Sequence, residues 1–161
     1  MLIVWTTRLS LICFFTTLLG WAIRRDATWE RRLSIVWTLG FVLFLTHVLS
    51  AFHFHHHWSH QAAVAETGRQ TKELLGVEFG AGVYFNYLFL AVWAGDVAWI
   101  WSASPDGKRA YRWLESIGLA YLLFIAFNGT AVFKTGWLRG IGIVATLVLF
   151  VGLCQRIART R

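Results

Sequence analysis

The chain has 161 residues, 57% of them hydrophobic, 17% aromatic and only 14% charged. Soluble domains carry close to a quarter charged residues, so an ordinary cytosolic fold is excluded and a single membrane domain is the natural reading. The net charge of +7 does not point to nucleic acid, because Lys and Arg punctuate apolar runs and form no stripe on one soluble face.

Crossing the hydrocarbon core as a helix takes about 20 mostly apolar residues. Five runs meet that length: 2–23, 33–55, 78–101, 114–133 and 137–155. Their apolar character is continuous and not of period two, which predicts an all-α integral membrane bundle of five transmembrane helices and no β-barrel. The first run also resembles a signal peptide, with Leu9–Leu19 behind Arg8. No small-x-small cleavage site follows, and cleavage would send the Arg-rich segment 24–32 across the membrane, so the run reads as a span. Cys13 and Cys154 sit inside apolar runs without CxxC spacing and read as small packing residues.

Ten basic residues fall in three groups between or after spans: Arg24, Arg25, Arg31 and Arg32; Lys108, Arg109 and Arg112; Arg156, Arg159 and Arg161. Only Arg69, Lys72, Lys134 and Arg139 fall on the other side. The positive-inside rule then places the amino terminus outside and the carboxyl terminus in the cytoplasm of an inner (plasma) membrane. The external loop 56–77 is the only long connection. Its Gln61–Leu75 stretch predicts a helix, with Gly76 as its C-terminal stop.

The chemistry concentrates where the second span meets this loop, in Phe52-His53-Phe54-His55-His56-His57-Trp58-Ser59-His60. If the helix runs on through the cluster, His53, His56, His57 and His60 share an arc of roughly 100°, and the pairs 53/57 and 56/60 have chelating i, i+4 spacing. Neutral imidazoles in that arrangement suit Zn(II), Cu(II) or Ni(II), and Glu66 adds a carboxylate. The competing reading is an interfacial collar in which the histidines and Trp58 meet head groups and water; a pH sensor is a third. Haem is a poorer fit, since bis-histidine ligation in a bundle draws on two helices and spans one, three, four and five hold no histidine; only a dimer, or Met1 as axial partner, would complete the iron. Di-iron hydroxylases need several separate histidine boxes, which are absent.

Converting span positions to depth at 1.5 Å per residue puts Arg8, His47, Asn86 and Asn128 in one polar layer beneath the cluster, with Tyr84 and Tyr87 as hydrogen-bonding neighbours. That layer is either an outward-open pocket or a set of interhelical hydrogen bonds that orient the bundle. Asp96, at the opposite end of its span, is expected to pair with Arg112 or the Arg24/Arg25 group. No phosphate loop, nucleophile set or pair of catalytic carboxylates is visible, so catalysis is not expected.

The histidine stretch, with the later Gly80-x-Gly82-x-Tyr84-x-Asn86-Tyr87 and Asp96, resembles uncharacterised bacterial multi-pass membrane proteins of similar length. The likeness covers the middle third of the chain and implies a multi-pass fold but no activity. The residues themselves point to a metal-binding membrane protein. The alternatives are an accessory subunit without metal, working with a membrane partner or a second copy, and a haem-binding dimer.

Overall fold

Asp26 begins the second helix for a local reason: its carboxylate accepts the Trp29 backbone N–H at 3.0 Å and satisfies one of the donors that a helix start leaves open. The computed structural model describes residues 1–23, 26–104 and 112–132, together with Gly140 and Ile143. Among them the fold is all-α, with no strand. Helix α1 runs Leu2–Ile23, α2 Ala27–Phe54, α3 His60–Leu75, α4 Gly82–Ser102 and α5 Arg112–Phe127, the last continuing into a π-helical turn, Asn128–Val132.

Three of these, α1, α2 and α4, are long and apolar enough to cross a membrane, and α5 holds a shorter apolar stretch, Ser116–Thr130. Their exposed faces carry Trp5, Ile12, Leu39, Val42, Phe85 and Leu88, a surface suited to lipid and not to water. The expected span 137–155 and the pairing of Asp96 with Arg24 or Arg25 fall outside the described residues. So do the Arg112 side chain and Cys154. The second span starts earlier than expected, at Ala27, because the Asp26 cap draws Glu30, Arg31 and Arg32 into the first turns of the helix.

Helices α1 and α2 form an antiparallel hairpin. On α1 the buried face carries Thr6, Ser10, Phe14, Thr17 and Leu18, a stripe at spacings of three and four that alternates small hydroxyls with aromatic bulk. Thr6 and Thr17 donate back to their own helix, to Leu2 O at 2.9 Å and Cys13 O at 2.8 Å. Ser10 donates across to Gly40 O at 2.8 Å, and Trp29 Nε1 to Gly20 O at 3.1 Å. Both glycines sit where a side chain would be crowded: a Cβ at Gly20 would lie 2.7 Å from a Leu33 methyl, and one at Gly40 would lie 3.0 Å from the Cys13 Cβ and 3.1 Å from the Trp93 ring. Close backbone approach of this kind drives association in lipid, where apolar burial alone gives little.

The core lies between α1, α2 and α4. Trp37, 0% exposed, stacks on Phe14 at 5.2 Å between centroids and meets Trp93 at 5.0 Å, while Phe44 and Phe89 pack edge-on at 4.8 Å. The Trp37 indole N–H donates to Asp96 Oδ2 at 2.7 Å, which ties α2 to α4 through a carboxylate. The Trp93 indole N–H is buried without a hydrogen-bond partner among the described residues, surrounded by the aromatic rings of Phe14, Phe41, Phe44 and Phe89. Helix α5 joins α4 through Tyr121 Oη, which donates to Phe85 O at 2.8 Å.

Gly40→Val forces branched carbon into this seam. It is expected to lower stability by about 1–3 kcal/mol, read as an earlier unfolding midpoint in detergent micelles; an unchanged midpoint would contradict the tight α1–α2–α4 contact.

Candidate functional site

Helix α2 does not run through the histidine cluster. It stops at Phe54, and His55 forms the C-cap, with its backbone N–H donating to Ala51 O at 2.9 Å. His57 and Trp58 then adopt left-handed backbone, φ 47° and 60°, a region that costs a non-glycine residue about 1–2 kcal/mol. The turn is closed by the Trp58 N–H on Phe52 O at 3.0 Å and the Ser59 N–H on His56 O at 2.8 Å. Ser59 starts α3 as an N-cap, its hydroxyl accepting from Ala62 N at 3.2 Å.

The break corrects the arrangement expected from helical spacing. His53, His56, His57 and His60 do not share one helical face, because α2 ends at Phe54 and the left-handed residues His57 and Trp58 turn the chain before His60 begins α3. His53 packs edge-on against Phe54 and Trp58. His57 is exposed at the turn itself. His60 is held between two tyrosines of α4, with Nδ1 3.0 Å from Tyr87 Oη and Nε2 3.1 Å from Tyr84 Oη. A neutral ring there donates to one hydroxyl and accepts from the other. Among the described residues, no three His, Cys, Asp or Glu side chains converge closely enough to hold a metal ion.

Bending the chain at 55–59 lays α3 over the ends of α2 and α4 and opens a cleft of about 850 Å³ between the three helices. Helix α3 is seated by small residues. A Cβ at Gly80 would meet Val64 O at 2.7 Å, and one at Gly68 would lie 3.3 Å from Glu78 and 3.4 Å from Gly80 N. The Phe79 N–H donates to Thr71 Oγ1 at 3.3 Å, and Gly76, at φ 75°, ends the helix as the sequence predicts.

His56 and Glu66 line this cleft, as do His47 and Asn86 from the expected polar layer. His53, His57, His60, Arg8 and Asn128 are not among its lining residues. Arg8 lies over the Trp5 ring at 5.4 Å, and Asn128 donates to Phe124 O of its own helix at 2.7 Å. Tyr84 and Tyr87 serve His60 in place of the polar layer, although Tyr87 also faces the cleft. His47 is oriented by α1. The Thr7 hydroxyl donates to Ile3 O at 2.8 Å, which leaves His47 Nδ1 as the donor to Thr7 Oγ1 at 2.7 Å and Ile3 O at 3.0 Å.

Sequence reasoning missed His55, Arg69 and Gln70 as cleft residues. His55 joins the lining because α2 ends before it, and Ser59 is the sequence signal of that break: a serine directly before a helix-forming stretch marks a new N-terminus. Arg69 grips Glu66 with two parallel bonds, Nε to Oε2 at 2.9 Å and Nη2 to Oε1 at 2.6 Å, and extends Nη1 to Glu73 Oε1 at 2.6 Å. Gln70 Nε2 adds a bond to Glu66 Oε1 at 2.8 Å. The Arg69 bonds above all, with that of Gln70, hold the Glu66 carboxyl down at about 2, and the charge of nearby His56 acts in the same direction. Asn86 lines the same cleft from within a membrane-spanning helix, and its side-chain amide makes no hydrogen bond among the described residues.

Comparison with family models, curated proteins and solved structures finds no match.

Because the folded pKa of Glu66 lies below the ordinary 4.5, its contribution to stability is present above pH 4.5 and is lost as pH falls towards about 2. Glu66→Gln should flatten that acid limb in a pH series of unfolding midpoints, with a small amplitude since the ion pair is solvent-exposed. His57→Gly should stabilise the turn by up to about 1 kcal/mol and His57→Val should weaken it; the reverse order of midpoints would contradict the left-handed backbone at this position.

Proposed function

We propose that this protein is a non-enzymatic binding protein of a bacterial inner membrane, with the amino terminus and the cleft on the external face and the carboxyl terminus in the cytoplasm. The bias of ten basic residues against four supports that orientation. The ligand site is the cleft between α2, α3 and α4. The observation that carries this reading is Asn86. An amide in a membrane span is costly unless it is hydrogen-bonded, and this one opens on a cavity of ligand size with no protein partner among the described residues.

His47, Tyr87 and Gln70 add hydrogen-bonding groups round the same space, and Phe44, Val48 and Phe52 supply apolar wall. A few polar groups set in an apolar lining is the usual make-up of a small-molecule pocket. The one carboxylate among the lining residues, Glu66, is committed to Arg69, which favours binding over acid–base chemistry.

A second reading is transition-metal handling, favoured by His55, His56 and Glu66 lining one cleft. Two imidazoles and a carboxylate suit Zn(II), Cu(II) or Ni(II), but Glu66 would have to leave Arg69 to serve as a ligand. Haem shared between two chains is the remaining cofactor reading, and a Soret band would reveal it.

The test is native mass spectrometry with elemental analysis and an absorption spectrum, on untagged protein taken from membranes in mild detergent without chelator. The expected result is a small-molecule adduct that disappears in Ala51→Phe, which fills the cleft. A near-integral metal content lost in His55→Ala with His56→Ala would establish the metal reading instead. Protein that is empty, colourless and co-purifies with a membrane partner would overturn both in favour of an accessory subunit.

A further inference from the structure

We infer that the ligand is electrically neutral and lipid-soluble, a flat ring compound carrying carbonyl or hydroxyl oxygens; this rests on the cleft being a binding site. The permanent charges lining the cleft are Glu66 and Arg69, and they cancel each other through two parallel hydrogen bonds of 2.9 and 2.6 Å. The third arm of Arg69 is taken by Glu73, which lies outside the cleft. An anion bound through Arg69 would have to draw it from two carboxylates, and a cation bound through Glu66 would have to draw it from Arg69 and Gln70. A neutral molecule disturbs neither. The imidazoles of His47, His55 and His56 complete the polar lining.

Depth gives solubility. His47 and Phe44 lie seven and ten residues before the end of α2 at Phe54, roughly 10–15 Å along the helix axis, so the floor of the cleft is at the level of the hydrocarbon. A molecule that reaches it must tolerate the bilayer interior. The walls supply what a ring needs: Phe44 at the floor and Phe52 and Tyr87 nearer the helix ends are aromatic lining residues, and Asn86 offers both an N–H donor and a carbonyl acceptor. Gln70 has one amide N–H bonded to Glu66 and keeps its other hydrogen-bonding capacity at the mouth. These amide groups match ring carbonyls and hydroxyls.

The experiment titrates the purified full chain in detergent with 2,3-dimethyl-1,4-naphthoquinone, a neutral ring blocked against thiol addition, and with anthraquinone-2-sulfonate as its anionic counterpart. Tryptophan quenching is the readout and Zn(II) binding is measured in parallel. Saturable quenching by the neutral quinone is expected, weakened about tenfold in Asn86→Leu, where one hydrogen bond is lost, and abolished in Ala51→Phe. The sulfonate should give no saturable quenching with the wild-type chain. Glu66→Gln leaves Arg69 with Glu73 alone and should admit the sulfonate, a gain that a purely structural role for Glu66 would not produce. Circular dichroism confirms that each variant is helical. Preference for the sulfonate or for Zn(II) in the wild-type chain would overturn the neutral-ligand inference and leave the binding site standing. Saturable quenching unaffected by Ala51→Phe would overturn the inference by placing the ligand elsewhere. Absence of binding by all three probes would overturn the inference, and if the protein from membranes is also empty, the binding reading falls with it.

Discussion

The contact on which the bundle depends is the one around Trp37. In a bilayer, apolar burial does little to bring helices together, so position has to come from shape and from hydrogen bonds. Trp37 supplies both, with its ring between Phe14 of α1 and Trp93 of α4 and its indole N–H on Asp96. A carboxylate inside a membrane span would be a liability alone; here it fixes the register of α4 against α2. Gly40 suits the arrangement, since a side chain there would press on Cys13 of α1 and on the Trp93 ring.

That register sets the geometry at the other end of the molecule. Because α2 and α4 are held side by side, Phe52, His55 and His56 at the end of one helix face Asn86 and Tyr87 at the start of the other across a gap. Helix α3 closes the gap as a cover, and its seat is built from Gly68, Gly80 and Thr71. The clasp of His60 between Tyr84 and Tyr87 pins the first turn of α3 to α4. Two strained backbone residues, His57 and Trp58, make the bend, and the Trp58 ring lies near Phe52 and His53 in partial compensation.

The electrostatics of the cover follow from spacing on α3. Glu66, Arg69 and Glu73 stand three and four residues apart, so the arginine bridges both carboxylates on one helical face. The result is a cleft whose carboxylate and guanidinium are paired with each other, beside the hydrogen-bonding groups of Asn86, Gln70 and the histidines. The histidines divide their labour accordingly. His47 is tied to α1, His60 to α4, and His55 and His56 border the cleft.

The sequence by itself determined the environment and the element types. Long continuous apolar runs can satisfy their backbones in lipid only as helices, and Gly76 and the Ala- and Glu-containing stretch before it announced α3 and its end. Local rules sufficed there because each depends on neighbouring residues alone. They also marked 52–60, Asn86 and His47 as chemically unusual, since polar groups at membrane depth are rare for energetic reasons. Which of these groups meet was decided by tertiary structure. Extending α2 by periodicity put four histidines on one face, whereas the chain turns at His57 and Trp58, and a single left-handed residue redirects everything after it. The pairing of Glu66 with Arg69 was latent in an i, i+3 spacing, but only the position of α3 over α2 and α4 makes it the wall of a cleft.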